Sequence, residues 1–211
     1  PTADFMAAHV NPGRGNTWMF RKTDQAGLNY GGSLAGIDVT QKMHLKLVVR
    51  GTTFRFYVND METPNVEGSY AGYAGGYVGL MCALTKVQFT NVALKDSQAD
   101  MGLSLDEAFL SEGSSGTGNA SEGWTLDNIN DNNMLVIPYY MKSFTLEADA
   151  QVLDGDWALG LAFGIPDKDR PTADFMAAHV NPGRGNTWMF RKTDQAGLNY
   201  GGSLAGIDVT Q

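Results

Sequence analysis

The sequence predicts an all-β fold, a sandwich of two antiparallel sheets, and three observations carry that reading. Apolar and polar residues alternate with a period of two over several stretches, as in Phe144, Leu146, Ala148, Ala150 and Val152 with Thr145, Glu147, Asp149 and Gln151 between them. Turn-forming residues punctuate these stretches at short intervals, and 26 of the 211 residues are glycine. No segment shows convincing helical periodicity. Apolar residues make up 43% and charged residues 18%, enough for a core and too little charge for disorder. Alternation means one dry and one wet face per strand, so two sheets stack around one interior.

A segment of 41 residues organises the chain, because Pro1–Gln41 returns unchanged as Pro171–Gln211. Forty-one consecutive identities point either to a parent that repeats a 170-residue unit or to a segment duplicated by design, since a fold alone tolerates many sequences. The chain therefore reads as an out-of-phase window on a 170-residue unit. Residues 1–98 are the C-terminal part of one unit and 99–211 the N-terminal part of the next. A full unit is 99–211 followed by 42–98.

In unit order, Ala99–Leu110 reads as a linker entering a first strand or short helical turn, and Ser111–Gly123 as a Gly/Ser loop. Asn119-Ala120-Ser121 within that loop fits a glycosylation sequon, a triplet that is common by chance. Met134–Tyr140 is a strand in which Pro138 marks an edge or a break. Phe144–Val152 and the alternating Trp157, Leu159, Leu161 and Phe163 read as a hairpin closed by Asp154-Gly155-Asp156. In the repeated segment, Asp4–Val10 and Thr17–Lys22 are strands joined by the turn Asn11–Asn16. The glycine-rich stretch Thr23–Asp38 follows, with Leu28, Tyr30, Leu34 and Ile37 as its buried positions. Leu45–Val49 and Phe54–Val58 form the clearest hairpin, Met61–Gly76 is a loop, and Tyr77–Leu84 and Lys86–Leu94 close the unit. The total is about ten to twelve short strands, a sandwich number.

The net charge of -8 argues against nucleic-acid and anionic-membrane partners. No apolar run approaches a membrane span. The one cysteine, Cys82, lies in the apolar run Val78–Leu84 and reads as a small buried hydrophobe. The common nucleophile, zinc and phosphate-loop motifs are missing, and no pair of carboxylates is selected for glycoside hydrolysis, so the chain reads as no enzyme. Asp154 and Asp156 flank a turn glycine and could help ligate calcium, although a plain turn accounts for them. No other cofactor is expected.

Four stretches carry a family resemblance: FTLEADAQV, WALGLAFG, HLKLVVRGTTFRFYVND and GGYVGLMCALTKVQFTNVAL. Together they resemble a concanavalin A-like, laminin-G-type jelly roll. Within that superfamily they are most similar to carbohydrate-binding module family 66 and to the C-terminal sandwich of fructan-cleaving glycoside hydrolases. Gly164 stands where many fructan-binding relatives carry an arginine. The resemblance implies a jelly-roll sandwich that binds glycan without catalysis.

A sugar offers C–H faces to aromatic rings and hydroxyls to polar side chains. The residues that fit this are the glycine-flanked Tyr70, Tyr73 and Tyr77, with Glu67 preceding them as an acceptor for vicinal hydroxyls. Asn29 and Tyr30 sit in a similar glycine-rich stretch, and Trp18, Arg21 and His9 follow as further candidates. Packing over the sheet ends is the competing account of the tyrosines. The expected protein is a carbohydrate-binding repeat of a large secreted or cell-surface protein, with glycan and neighbouring repeats as partners. Repetition would raise avidity for a weak ligand. A structural spacer of an adhesin and an accessory sandwich of a glycosidase are the rival expectations.

Overall fold

The computed structural model describes residues 6–11, 16–21, 29–33, 36–69, 71, 73–127, 133–168, 176–181 and 186–191. At 6–33 and 176–191 it is the backbone that is described. The described residues form an all-β antiparallel sandwich with no helix.

The hairpin of β4 (Met43–Arg50) and β5 (Thr53–Val58) forms as its alternation predicts, with Leu47 opposite Phe56. Met43, Leu45, Leu47 and Val49 are buried while the residues between them are half-buried, and Phe54, Phe56 and Val58 complete the same apolar layer. β6 (Val66–Ser69) adds to the edge of β5, so the expected Met61–Gly76 loop contains a strand. The segments 99–110 and 111–123 likewise carry short strands: β8 (Met101–Leu103), β9 (Phe109–Leu110) and β10 (Gly116–Asn119). β10 pairs with β11 (Gly123–Leu126). Polar, glycine-rich composition did not prevent these strands, because backbone hydrogen bonds to a formed neighbour need no apolar side chain.

Two long strands organise the molecule, β7 (Gly76–Asp96) and β13 (Phe144–Ile165). They pair antiparallel from Phe144↔Asp96 to Ile165↔Tyr77. The expected turn at Asp154-Gly155-Asp156 is therefore a bend within one strand, and the pair Tyr77–Leu84 and Lys86–Leu94 is likewise one strand. Ladder irregularities at Val152/Asp154 and Gly155/Ala158 crease β13, while Leu84 of β7 takes a φ of 47°. Gly155 has a φ of 76°, and a Cβ there would lie 2.4 Å from the Leu84 carbonyl oxygen. An Asp-Gly pair signals a turn locally. Here the neighbouring strand continues to supply partners, so the chain bends without reversing.

Below the crease, Phe144–Ala150 of β13 pairs with β4, and Val87–Phe89 of β7 pairs with β11. This first sheet runs β6-β5-β4-β13-β7-β11-β10. Above the crease, Val78–Cys82 of β7 pairs with β12 (Asn133–Met141), and Leu159–Phe163 of β13 with β14 (Met176–Asn181). The β12 ladder shifts between Ile137 and Met141, around Pro138. Gly164, at a φ of 61°, belongs to the ladder irregularity between Ala162 and Ile165, a conformation that suits glycine. The two sheets meet through Phe54, Phe163 and Tyr73, with ring centroids 5.2 to 6.1 Å apart. Cys82 is buried as expected, and burial pushes its thiol up to about 12.

Each copy of the repeated segment forms a hairpin with the same register, β1 (Met6–Asn11) with β2 (Asn16–Arg21) and β14 with β15 (Asn186–Arg191). β2 pairs in turn with β3 (Asn29–Ser33). The strands of both copies join one sheet. Besides β13 and β15, β14 is also matched with β1. β1 lies parallel to it with Ala8, His9 and Val10 opposite Ala178, His179 and Val180.

Candidate functional site

The wet side of the first sheet carries a connected row of polar groups. It is built by alternation: with Leu45 and Ala148 pointing inward, His44, Glu147 and Asp149 point outward. Register then brings them together, since Asp149 of β13 pairs with His44 of β4. His44 Nδ1 lies 2.7 Å from Asp149 Oδ1 and its Nε2 lies 3.4 Å from Glu147 Oε2. On the other side Asn91 Nδ2 donates to Asp149 Oδ2 at 2.7 Å. A bulge aims it there: Asn91 and Val92 oppose the single residue Ala148, and Asn91 has a φ of 50°. Burial alone would raise the Asp149 carboxyl. The hydrogen bonds from His44 and Asn91 and the charges of His44 and Lys42 outweigh it and hold the group below its ordinary value.

At the His44 end of β4 the row meets a cleft of about 470 Å³, lined by Gly36, Ile37, Val58, Asn59, Asp60, Thr63, Pro64 and Asn65. Its walls are pinned by side chains. Asn59, at a φ of 63°, donates its N–H to the His44 carbonyl and accepts the His44 N–H on Oδ1, both at 2.8 Å. Asp60 Oδ1 accepts the N–H groups of Glu62 and Thr63, which hold its carboxyl below the ordinary value. Lys46 lies 4.2 Å over the Tyr57 ring and donates to the Met61 carbonyl, and Asn65 Oδ1 accepts the Val58 N–H. Gly36 and Ile37 of the lining lead into a turn in which Asp38 accepts from Thr40, tied to β13 by Gln151 donating to the Thr40 carbonyl.

The arrangement presents an ionised carboxylate at Asp60 beside the Asn59 amide, with apolar carbon from Ile37 and Pro64. Such a set suits a neutral polyhydroxylated ligand: the carboxylate accepts hydroxyl protons, the amide donates, and carbon covers a C–H face. Among the described residues no group of three or more His, Cys, Asp and Glu side chains is placed to hold a metal ion.

The expected tyrosine cluster is not what the fold assembles. Tyr73 is a core residue, 9% exposed, edge-on to Phe54 and with its hydroxyl 3.4 Å from the Met141 carbonyl. It has no face to offer a sugar, and burial drives its phenol pKa upward. Tyr77 is half-buried in the second sheet, with its ring edge-on to exposed Tyr140. Glu67 is exposed on β6 at the edge of the first sheet, and both its carboxylate oxygens engage Arg55 at 3.0 and 3.1 Å. Tyr73, Tyr77 and Glu67 thus occupy the interior, the second sheet and an edge. Tyr70 lies outside the described residues. Backbone register places His9 opposite Trp18, Arg21 opposite Met6, and Asn29 and Tyr30 opposite Phe20 and Met19. The sequence reading passed over His44, Asn59, Asp60, Asn91 and Asp149 as a site. Their one local signal was that His44 and Asp149 fall on the polar phase of alternating strands.

No protein-family model matches the chain, and no curated protein matches it.

Proposed function

We propose that the chain is a non-catalytic carbohydrate-binding module of jelly-roll type, repeated in a secreted or cell-surface protein. We place the sugar in the cleft at Asn59 and Asp60. The observation that supports this most is that Asn59 of the cleft is hydrogen-bonded to the backbone of His44, whose side chain belongs to the His44–Asp149–Asn91 network. Polar groups already fixed by neighbours bind with less ordering cost. The resemblance to carbohydrate-binding jelly rolls points to the same ligand class, and repetition would multiply a weak site into avidity.

A glycan array probed with the full chain, followed by calorimetry on retained glycans, tests the reading. Asp60→Asn keeps the turn acceptor and removes the charge, while Asn59→Gly keeps the left-handed backbone and removes the amide. Each should weaken binding about tenfold, the scale of one charge-assisted hydrogen bond, with the fold intact. An array that retains nothing, or variants that bind like the parent, would overturn it. A spacer is the second reading, favoured by the packing of Tyr73 between Phe54 and Phe163.

A further inference from the structure

We propose that Asn119 is an acceptor site for an N-linked glycan, so that the chain carries sugar as well as binding it. This modification needs the secretory route that the proposed function assumes, and it is independent of the cleft. Asn119-Ala120-Ser121 is the one Asn-x-Ser/Thr triplet in the sequence. A triplet of this kind is common by chance, and it is the fold that gives this one its placement.

β10 ends at Asn119, which pairs with Gly123 at the start of β11 across a three-residue turn. The turn sorts its side chains: half-buried Ala120 packs against the core, while Asn119, Ser121 and Glu122 are exposed. Gly123 sets the turn down on the sheet. Its φ is 85°, and a Cβ there would lie 2.2 Å from the Phe89 carbonyl oxygen of β7. Among the described residues β10 pairs with β11 alone, so the triplet sits at an open edge of the first sheet, with room for a bulky group.

The carboxamide is held ready by its own turn. Asn119 Oδ1 accepts the Ser121 N–H at 3.0 Å, the Ser121 hydroxyl at 2.7 Å and the Glu122 N–H at 3.0 Å. Asn119 Nδ2 donates to Glu122 Oε2 at 2.9 Å. That bond uses one of the two Nδ2 hydrogens, and an N-glycosyl bond replaces the other. All four hydrogen bonds are therefore compatible with the product. In the transfer, Nδ2 attacks the anomeric carbon of a sugar activated as a pyrophosphate ester. The N–C bond forms as the C–O bond to pyrophosphate breaks. The leaving pyrophosphate takes the electron pair, and Nδ2 gives one proton to a base of the transferring enzyme.

Secretion of the full chain from yeast behind a signal peptide tests this, because the host supplies the compartment and the donor. Intact mass is measured before and after treatment with a peptide-N-glycosidase, and peptide mapping locates the modified residue. One glycan per chain is expected, on Asn119, retained in Ser121→Thr and lost in Ser121→Ala and Asn119→Asp. Asn119→Asp keeps the Oδ1 acceptor of the turn, so an unchanged circular dichroism spectrum separates loss of the acceptor nitrogen from loss of the fold. A parent secreted without a glycan, or a glycan that persists in Asn119→Asp, would overturn the proposal. A chain that carries the glycan yet retains nothing on the glycan array would support this site and count against the cleft alone.

Discussion

The same two strands, β7 and β13, live in two environments, one on each side of their crease. Below it, their outward residues are Lys86, Gln88 and Thr90 on one strand and Glu147, Asp149 and Gln151 on the other, all half-buried or exposed. Above it, Met81 and Ala162 face away from the main core yet are fully buried, in a second cluster with Met134, Val136 and Ile165. A strand buried on both faces reads as a continuous apolar run, and Tyr77–Ala83 and Leu159–Ile165 read that way. Period two describes only the half that meets water. The difference assigns the surfaces: the first sheet has a wet face on which polar groups can gather, and the second sheet does not at these positions.

The largest effect that could break this comparison comes from truncating matched outward positions. Met81→Ala should cost about 2–5 kcal/mol, the range for a buried methionine, while Gln88→Ala should stay within about 0.5 kcal/mol. Urea unfolding of both variants checks it, and a silent Met81→Ala would mean that the outer side of the second sheet is not covered. Next in size is the crease itself. Gly155→Ala places a Cβ against the Leu84 carbonyl and forces a left-handed alanine. The expected cost is about 1–3 kcal/mol. An unchanged unfolding midpoint would show that the bend does not depend on the close approach of Gly155 to Leu84.

Local signals made part of this fold legible and nonlocal pairing hid the rest. The β4/β5 hairpin could be read directly, because alternation on both arms and the turn at Gly51 agree with each other. The bend at Gly155 could not, since its residues are those of a tight turn and only the partner strand shows that the ladder continues. Glycine around Tyr73 suggested an open ring, whereas the fold uses that freedom to tuck the ring between the sheets. The polar site was hidden for a related reason. His44 and Asp149 are 105 residues apart in sequence, and their contact depends on the β4/β13 register, which no short motif encodes. Asn91 joins them through a bulge, and a bulge has no reliable sequence mark.

The smallest effect concerns the wet side alone, through the pH dependence of Asp149. Its carboxyl faces the His44 ring at 2.7 Å and the Asn91 amide, with Lys42 nearby and Glu147 on the far side of the imidazole. The folded-state pKa lies below the ordinary carboxylate value, while an unfolded chain titrates near 3.9. A group depressed in this way stabilises the fold fully above the unfolded value. That contribution fades as pH falls through the folded value, because protonation then removes the acceptor that His44 and Asn91 engage. Asp149→Asn lacks the titrating group, so the gap between parent and variant should be fully developed near pH 5. The gap should be modest, about 0.5–1 kcal/mol for a pair this open to solvent, and should narrow steadily toward pH 2. Urea midpoints measured across that range provide the test. If the gap is the same at both ends, the carboxylate does not stabilise the fold through its charge. The first sheet would then hold its polar row by shape alone, as the second sheet holds Met81.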